Sequence, residues 1–95
     1  MYCIFATIYP KHEHFDEAKS AILSILEKTR AEAGCIQFDA HTDEEQTKLF
    51  LYEQWENEAA LHLHYEQEYT KEIFNAYEAW LEKPVEISNL QFLEA

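Results

Sequence analysis

The sequence predicts an α+β domain in which stretches typical of strands and of helices alternate along the chain. It has 95 residues, which fits a single domain over residues 1–95. The chain contains one Gly and two Pro, so each of these residues is informative about where an element ends. The elements follow the order β-α-β-β-α-β, which is typical of the ferredoxin-like fold. This order predicts an antiparallel sheet with its helices packed on one face.

The first half of the chain predicts a strand, a helix and another strand. Residues 2–9 are rich in β-branched and aromatic side chains, and Pro10 follows them, as expected where a strand ends. Apolar residues then recur at helical spacing over about residues 13–33. Gly34 is expected to have a structural role as the stop signal of that helix. Residues 35–41 alternate in polarity and predict the second strand.

The second half predicts a hairpin strand, a helical stretch and a last strand. Residues 48–55 predict the third strand, which a polar turn at residues 42–46 connects to the second. Asn57 is expected to cap the helical stretch that follows. Pro84 closes that stretch, and residues 85–93 predict the fourth strand.

The helical stretch over residues 57–82 is predicted to contain two helices rather than one. Five of its apolar or aromatic residues are spaced by four: Leu61, Tyr65, Tyr69, Ile73 and Tyr77. On a helix with about 100° per residue, such a stripe rotates by about 40° at each step. A bend near residues 66–69 would keep the apolar faces of both helices on the core.

Large apolar side chains on both faces of the predicted third strand indicate a second subunit. Phe50 and Tyr52 alternate there with Leu49, Leu51 and Trp55. A sheet with one face in water would not show this pattern. We therefore expect a homodimer in which a partner sheet covers the second face, as in a dimeric α+β barrel.

Composition excludes several classes of partner. The net charge of −12 repels the phosphate backbone of nucleic acids and anionic lipid headgroups. No apolar run reaches the roughly 18 residues that a membrane-spanning helix needs, and no signal peptide precedes the first strand. We expect a cytoplasmic protein in which Cys3 and Cys35 are free thiols. A disulfide between them is the alternative if their strands are neighbours.

Motifs for metals and nucleotide cofactors are missing from the sequence, so no cofactor is predicted. A single Gly leaves no Gly-rich phosphate loop. Residues two apart on a helix point about 200° away from each other, so His62 and His64 are not expected to chelate one ion. His12 and His14, at a predicted helix start, offer no better set, and no metal site is predicted.

Three segments resemble a known family. They are E-A-G-C-I-Q-F at residues 32–38, F-L-Y-E-Q-W at residues 50–55 and E-A-A-L-H-L-H at residues 58–64. In order and spacing they are similar to the antibiotic biosynthesis monooxygenase family of the dimeric α+β barrel superfamily. This resemblance implies a cofactor-independent monooxygenase that oxidises a small aromatic quinol or phenol with dioxygen. Relatives with the same fold degrade haem or isomerise small sugar-derived signals.

The resemblance also implies a set of site residues. His64 occupies the position of the family's helix histidine, and it is the candidate base that removes the substrate proton; the alternative is a His that only packs. Trp55, Tyr69, Phe38 and Phe74 are the candidate substrate-binding residues, although for Trp55 the preferred interpretation is a core residue. Glu53 is expected on the same face as Trp55, as a buried hydrogen-bond anchor for the hairpin rather than a catalytic group.

The chain departs from the family at two places. Many members have a second His, preceded by Pro, where this chain has Tyr69 preceded by Glu68, so a mechanism with two histidines is not expected. The haem-degrading relatives use an Asn on the first strand, and residues 4–8 contain none. The alternative function is a non-catalytic ligand-binding stress protein, or an isomerase of a small carbonyl compound. Consumption of dioxygen would distinguish the oxygenase from both.

Overall fold

The computed structural model of the chain describes residues 1–94 and confirms the predicted α+β fold. A short 3₁₀ turn over His12–His14 precedes the first helix. The strands and helices, in chain order, are β1 Tyr2–Ile8, α1 Phe15–Arg30, β2 Cys35–Thr42, β3 Leu49–Trp55, α2 Glu58–Tyr65, α3 Glu68–Trp80 and β4 Glu86–Leu90.

The four strands form one antiparallel sheet in the order β2-β3-β1-β4. Side chains alternate between its faces because successive residues of a strand point in opposite directions. On β3 the alternation is complete: Leu49, Leu51, Glu53 and Trp55 are buried and the residues between them are half-buried. The buried set packs with the inner faces of α1, α2 and α3 to form the core.

The helical stretch after β3 consists of two helices, as predicted. α2 ends at Tyr65 and α3 begins at Glu68, with Gln67 as an extended N-cap residue between them. Asn57 caps α2, because its Oδ1 accepts a 2.9 Å hydrogen bond from the backbone N–H of Ala60. The break lets both helices turn their apolar sides toward the sheet.

The turn after α1 differs from the prediction. The helix ends at Arg30, three residues earlier than expected, and Gly34 lies in the turn that follows, with φ +86°. A Cβ at Gly34 would lie 2.7 Å from Cβ of Ala60, closer than side chains tolerate. The carbonyl of Gly34 accepts a 2.8 Å hydrogen bond from the N–H of Glu56. Gly34 therefore brings the end of α1 against the start of α2.

The last strand is shorter than predicted. β4 covers Glu86–Leu90 rather than residues 85–93, and all five of its side chains are exposed. It pairs only with β1 and forms an edge of the sheet. Residues 91–94 have no regular structure, and Leu93 is 96% exposed.

The sheet face opposite the helices carries aromatic side chains. Phe5 and Phe50 stack with their ring centroids 5.7 Å apart, and Tyr52 lies directly across from Phe5 on β3. All three are half-buried, and among residues 1–94 no helix covers them. This surface, here called the open face, is the one for which the sequence predicts a partner sheet.

Cys3 and Cys35 are both free thiols. β3 lies between their strands in the sheet, so the condition for the alternative disulfide, that β1 and β2 be neighbours, is not met. Within the part of the chain that the structure describes, none of the helices has the length and apolar character needed to cross a membrane.

Candidate active site

His64 lies on the buried side of α2, over the end of β3. It is 3% exposed and is surrounded by aromatic rings. The Trp55 ring centroid is 5.0 Å from that of the imidazole, and those of Phe38 and Tyr65 are 5.7 and 5.8 Å away. The packing holds the imidazole in one place and keeps bulk water away from it.

The Glu32 carboxylate is the polar partner of His64. Nδ1 of His64 lies 2.8 Å from Oε2 of Glu32, and the two side chains are 4% and 9% exposed. The Tyr69 hydroxyl donates a second hydrogen bond to the same oxygen. The turn at Gly34 makes this contact possible, because it places the residues after α1 beside α2.

This hydrogen bond determines which nitrogen of His64 can act as a base. A carboxylate only accepts hydrogen bonds, so in the neutral imidazole the proton on Nδ1 faces Glu32 and the lone pair is on Nε2. Burial, together with the hydrogen bond to Glu32, raises the pKa of Tyr69 to about 12. Tyr69 therefore remains a hydrogen-bond donor at neutral pH and helps hold the Glu32 carboxylate in place.

Glu53 is a second buried carboxyl group, on the central strand β3. It is 4% exposed, and its Oε1 accepts a 3.0 Å hydrogen bond from Nε1 of the buried Trp55. Removal from water is the main cause that raises the pKa of Glu53 to about 7; the Trp55 hydrogen bond opposes this rise, and the negative charge of Glu32 adds to it. Among residues 1–94 no Lys, Arg or His forms an ion pair with it.

A cavity of about 40 Å³ lies between the sheet and the helices, and His64 and Glu53 are both in its wall. Most of the wall is apolar, with side chains that include Ile8, Ile22, Phe38, Leu51, Ile73 and Phe74. Thr70 also lines it, and its buried Oγ1 has no hydrogen-bond partner within residues 1–94. The cavity therefore combines a largely apolar wall with the polar side chains of His64, Glu53 and Thr70.

A larger surface groove adjoins this cavity. It has a volume of about 590 Å³ between α3 and β4, and Phe74, Tyr77, Val85 and Ile87 line both spaces. Phe74 is 41% exposed and lies between them.

The structure distributes the predicted site residues over two roles. His64, Phe38 and Phe74 line the cavity, whereas Trp55 and Tyr69 lie behind it and hold the two carboxyl groups through hydrogen bonds. Sequence reasoning gave Glu32 no role. Its place at the start of the segment at residues 32–38 does not indicate a contact with His64, from which 32 residues separate it.

No group of three or more His, Cys, Asp or Glu side chains within residues 1–94 could hold a metal ion. His62 is largely exposed on the outer side of α2, whereas His64 is on the buried side. Nε2 of His62 lies 3.6 Å from Oε2 of Glu58. Nδ1 of His14 lies 2.7 Å from Glu17.

Fold and site define a ferredoxin-like α+β domain with buried titratable side chains between its sheet and its helices. The profile of the antibiotic biosynthesis monooxygenase family matches residues 1–76. The chain belongs to the antibiotic biosynthesis monooxygenase family, and this family membership confirms the resemblance of its three sequence segments.

Individual relatives agree with this assignment. The crystal structure of PA3566 from Pseudomonas aeruginosa is 31% identical and superimposes with a TM-score of 0.91 over 98% of this chain and 94% of that one. A crystal structure of an antibiotic biosynthesis monooxygenase gives the same TM-score at 22% identity, over 99% of this chain and all of that one. Its likeness concerns the fold alone.

A sequence relative is the uncharacterised protein sll1783 of Synechocystis, 35% identical over 72 residues. That match covers 75% of this chain and 49% of the relative. The chain thus spans about half the length of the curated relatives it matches, since the corresponding share for YjcS of Bacillus subtilis is 56%.

Proposed function

We propose that this protein is a cofactor-independent monooxygenase that oxidises a small aromatic quinol or phenol with dioxygen. The observation that carries the proposal is the buried pair of His64 and Glu32, with Nδ1 and Oε2 2.8 Å apart. The imidazole of this pair lies in the wall of an apolar cavity. Membership of the antibiotic biosynthesis monooxygenase family supports an oxygenase of this kind.

The reaction starts with removal of the substrate proton. Nε2 of His64 accepts the proton of a phenolic hydroxyl, and the Glu32 carboxylate stabilises the imidazolium that forms. The resulting phenolate is electron-rich enough to transfer electrons to dioxygen itself, so the organic substrate is the reductant. The protein supplies the base, the orientation and a site without water.

The cavity walls suit a flat substrate. Phe38 and Phe74 contribute aromatic rings to its lining, and the Oγ1 of Thr70, without a partner among the described residues, can donate a hydrogen bond to an oxygen atom of the ligand. A volume of about 40 Å³ is well below the roughly 300 Å³ at which ligand pockets begin. Phe74 must therefore move when substrate binds, so that the cavity joins the adjoining groove.

Trp55 and Tyr69 contribute to substrate binding through the groups they hold. Trp55 fixes Glu53, which lines the cavity. Tyr69 fixes Glu32, which holds the imidazole of His64. A homodimer completes the proposal, because a partner sheet on the open face would cover Phe5 and Phe50 and stabilise the sheet that forms the cavity floor.

The alternative within this family is an isomerase of a small carbonyl compound. It is favoured by a single observation, the presence of a carboxyl group with a raised pKa in the same cavity as a base. Such a pair can move a proton from carbon to oxygen without an oxidant.

Dioxygen uptake separates the two reactions. The purified protein, without added flavin, haem or metal, is mixed with a panel of quinols and phenols, and dioxygen and product are both measured. The proposal predicts one dioxygen consumed and one oxygen atom inserted for each substrate molecule. Isomerised product without dioxygen uptake would support the alternative, and uptake only after addition of a flavin would contradict cofactor independence.

A further inference from the structure

Glu53 has surroundings that a simple structural anchor does not need. It faces the core from the middle of the sheet, with Ile4 of β1 and Phe38 of β2 as its strand neighbours, and it is 4% exposed. One of its oxygens is occupied by the Trp55 indole N–H. A buried carboxylate normally has a cation or several hydrogen-bond donors around it, and Glu53 has the indole alone among the described hydrogen bonds.

The titratable groups around Glu53 come from four parts of the fold. The turn before β2 contributes the Glu32 carboxylate, and the start of β2 contributes the Cys35 thiol. α2 contributes His64 and Tyr65. α3 contributes Tyr77, whose hydroxyl donates to the backbone oxygen of Ala18. On the cavity side α1 and β4 present only apolar side chains. None of these groups is a fixed cation, so the surroundings favour the uncharged form of Glu53.

We propose that Glu53 is a catalytic residue of the oxygenation, a neutral carboxylic acid that donates its proton to reduced dioxygen in the cavity. The inference rests on the proposed monooxygenase function and deepens it. Glu53 and His64 line the same cavity. The indole N–H of Trp55 donates a hydrogen bond to Oε1 of Glu53, and the indole cannot accept one in return. The carboxyl O–H is therefore free to point at a ligand.

The proton and electron balance closes with these two residues. His64 takes the phenolic proton. The phenolate then transfers electrons to dioxygen, and a ring carbon that carries a hydrogen forms a bond to one oxygen atom. Glu53 protonates the outer oxygen of the resulting peroxide anion. The O–O bond then breaks, the ring C–H proton returns to Glu53, and the imidazolium of His64 protonates the departing hydroxide. The ring carbon becomes a carbonyl carbon. One atom of dioxygen is the carbonyl oxygen, and the other is the oxygen of a water molecule.

This assignment narrows the substrate class. The ring carbon that receives oxygen must carry a hydrogen, because that hydrogen leaves as the proton that restores Glu53. A phenol or quinol with an unsubstituted position ortho or para to its hydroxyl satisfies this condition. A phenol in which these positions are blocked by alkyl groups would bind and ionise but would not give a quinone.

Two variants test the proposal. Glu53→Gln keeps the size of the side chain and an oxygen that can accept from the Trp55 indole, but it has no acidic proton. Trp55→Phe removes the hydrogen bond that lowers the pKa of Glu53 and leaves the carboxyl group in place. Circular dichroism and thermal unfolding establish that both variants are folded before any rate is compared.

The first measurement follows the carboxyl group without turnover. Infrared difference spectra of the wild type should contain the carbonyl band of a buried carboxylic acid, which disappears as pH rises through about 7. The band should be missing in Glu53→Gln and should persist to higher pH in Trp55→Phe. A wild-type spectrum without such a band would overturn the proposal, whatever reaction the protein catalyses.

The second measurement separates proton removal from the oxygen step. Under anaerobic conditions, the absorbance of the phenolate measures how far a bound phenol with a free ortho or para position is ionised. Glu53→Gln should ionise it to the same extent as the wild type. On addition of dioxygen its rate of uptake should fall by roughly 10²-fold, and the decline of the wild-type rate above about pH 7 should be absent. If Glu53→Gln had the rate and the pH profile of the wild type, the role of Glu53 would be overturned and the oxygenase function would not. No uptake by the wild type with any phenol would overturn the oxygenase function and this role together.

Discussion

Nδ1 of His64 and Oε2 of Glu32 are 2.8 Å apart, although 32 residues separate them in the sequence. Both side chains are almost fully buried. The contact orients the imidazole so that Nε2 is the nitrogen available for a substrate proton. It also joins the turn after α1 to α2, so the geometry of the candidate base depends on two parts of the chain.

Glu32→Gln should therefore weaken the base without removing it. The amide can still contact Nδ1, but it does not stabilise an imidazolium with a negative charge, so we expect the rate of dioxygen uptake to fall by roughly 10²-fold. Tyr69→Phe is the matched control, because it removes only the second hydrogen bond to Glu32. Its rate should fall much less, and equal losses in both variants would argue against an electrostatic role for Glu32.

Glu53 should make the stability of the protein depend on pH. Its pKa is about 7 in the folded chain and 4.5 as a free side chain, so between these values the folded state binds the proton that the unfolded state has lost. Stability should fall as pH rises from about 4.5 to 7, by on the order of 3 kcal/mol from this residue, and level off above. Urea unfolding over this pH range measures how the free energy of unfolding changes with pH in the wild type and in Glu53→Gln. The two proteins should show the same pH dependence if Glu53 is ionised throughout.

Gly34→Ala tests the turn that brings Glu32 to His64. The substitution puts a Cβ 2.7 Å from Cβ of Ala60 at a backbone φ of +86°, which an L-residue rarely adopts. We expect a loss of roughly 1–3 kcal/mol in the free energy of unfolding. Ala33→Gly, one residue earlier, tests the same turn without the clash. An unchanged melting temperature in Gly34→Ala would show that the turn tolerates a side chain.

The open face should mediate dimerisation. Light scattering at micromolar concentration should give twice the chain mass of 11.3 kDa, because the stacked rings of Phe5 and Phe50 would otherwise face water. Phe50→Glu places a charge in this surface and should give a monomer. Leu23→Glu, at an exposed position of α1, is the control and should remain dimeric. A wild-type protein of 11.3 kDa in solution would refute the predicted dimer.

The sequence was sufficient to predict the order of elements and the break between α2 and α3, because periodicity and the few Gly and Pro residues are local signals. The early end of α1 was not predictable in this way. It depends on the approach of Gly34 to Ala60, a contact between distant segments. The short β4 has the same origin, since its length is set by pairing with β1.

The candidate site was predictable only in part. His64 was identified through its motif, whereas Glu32 became visible only when the fold brought it to Nδ1 of that residue. The roles of Trp55 and Tyr69 behind the cavity depend on where their polar atoms point, which residue type and spacing do not encode.

The most direct test of the account compares two histidines on one helix. His64 is buried against Glu32, whereas His62 is largely exposed on the outside of α2. With a phenol that the wild type oxidises, His64→Ala should lower the rate of dioxygen uptake by roughly 10²-fold or more, the usual loss for a general base. His62→Ala should keep the wild-type rate, and both variants should be folded and have the oligomeric state of the wild type. A rate in His64→Ala equal to that of the wild type would contradict the assignment of His64 as the base.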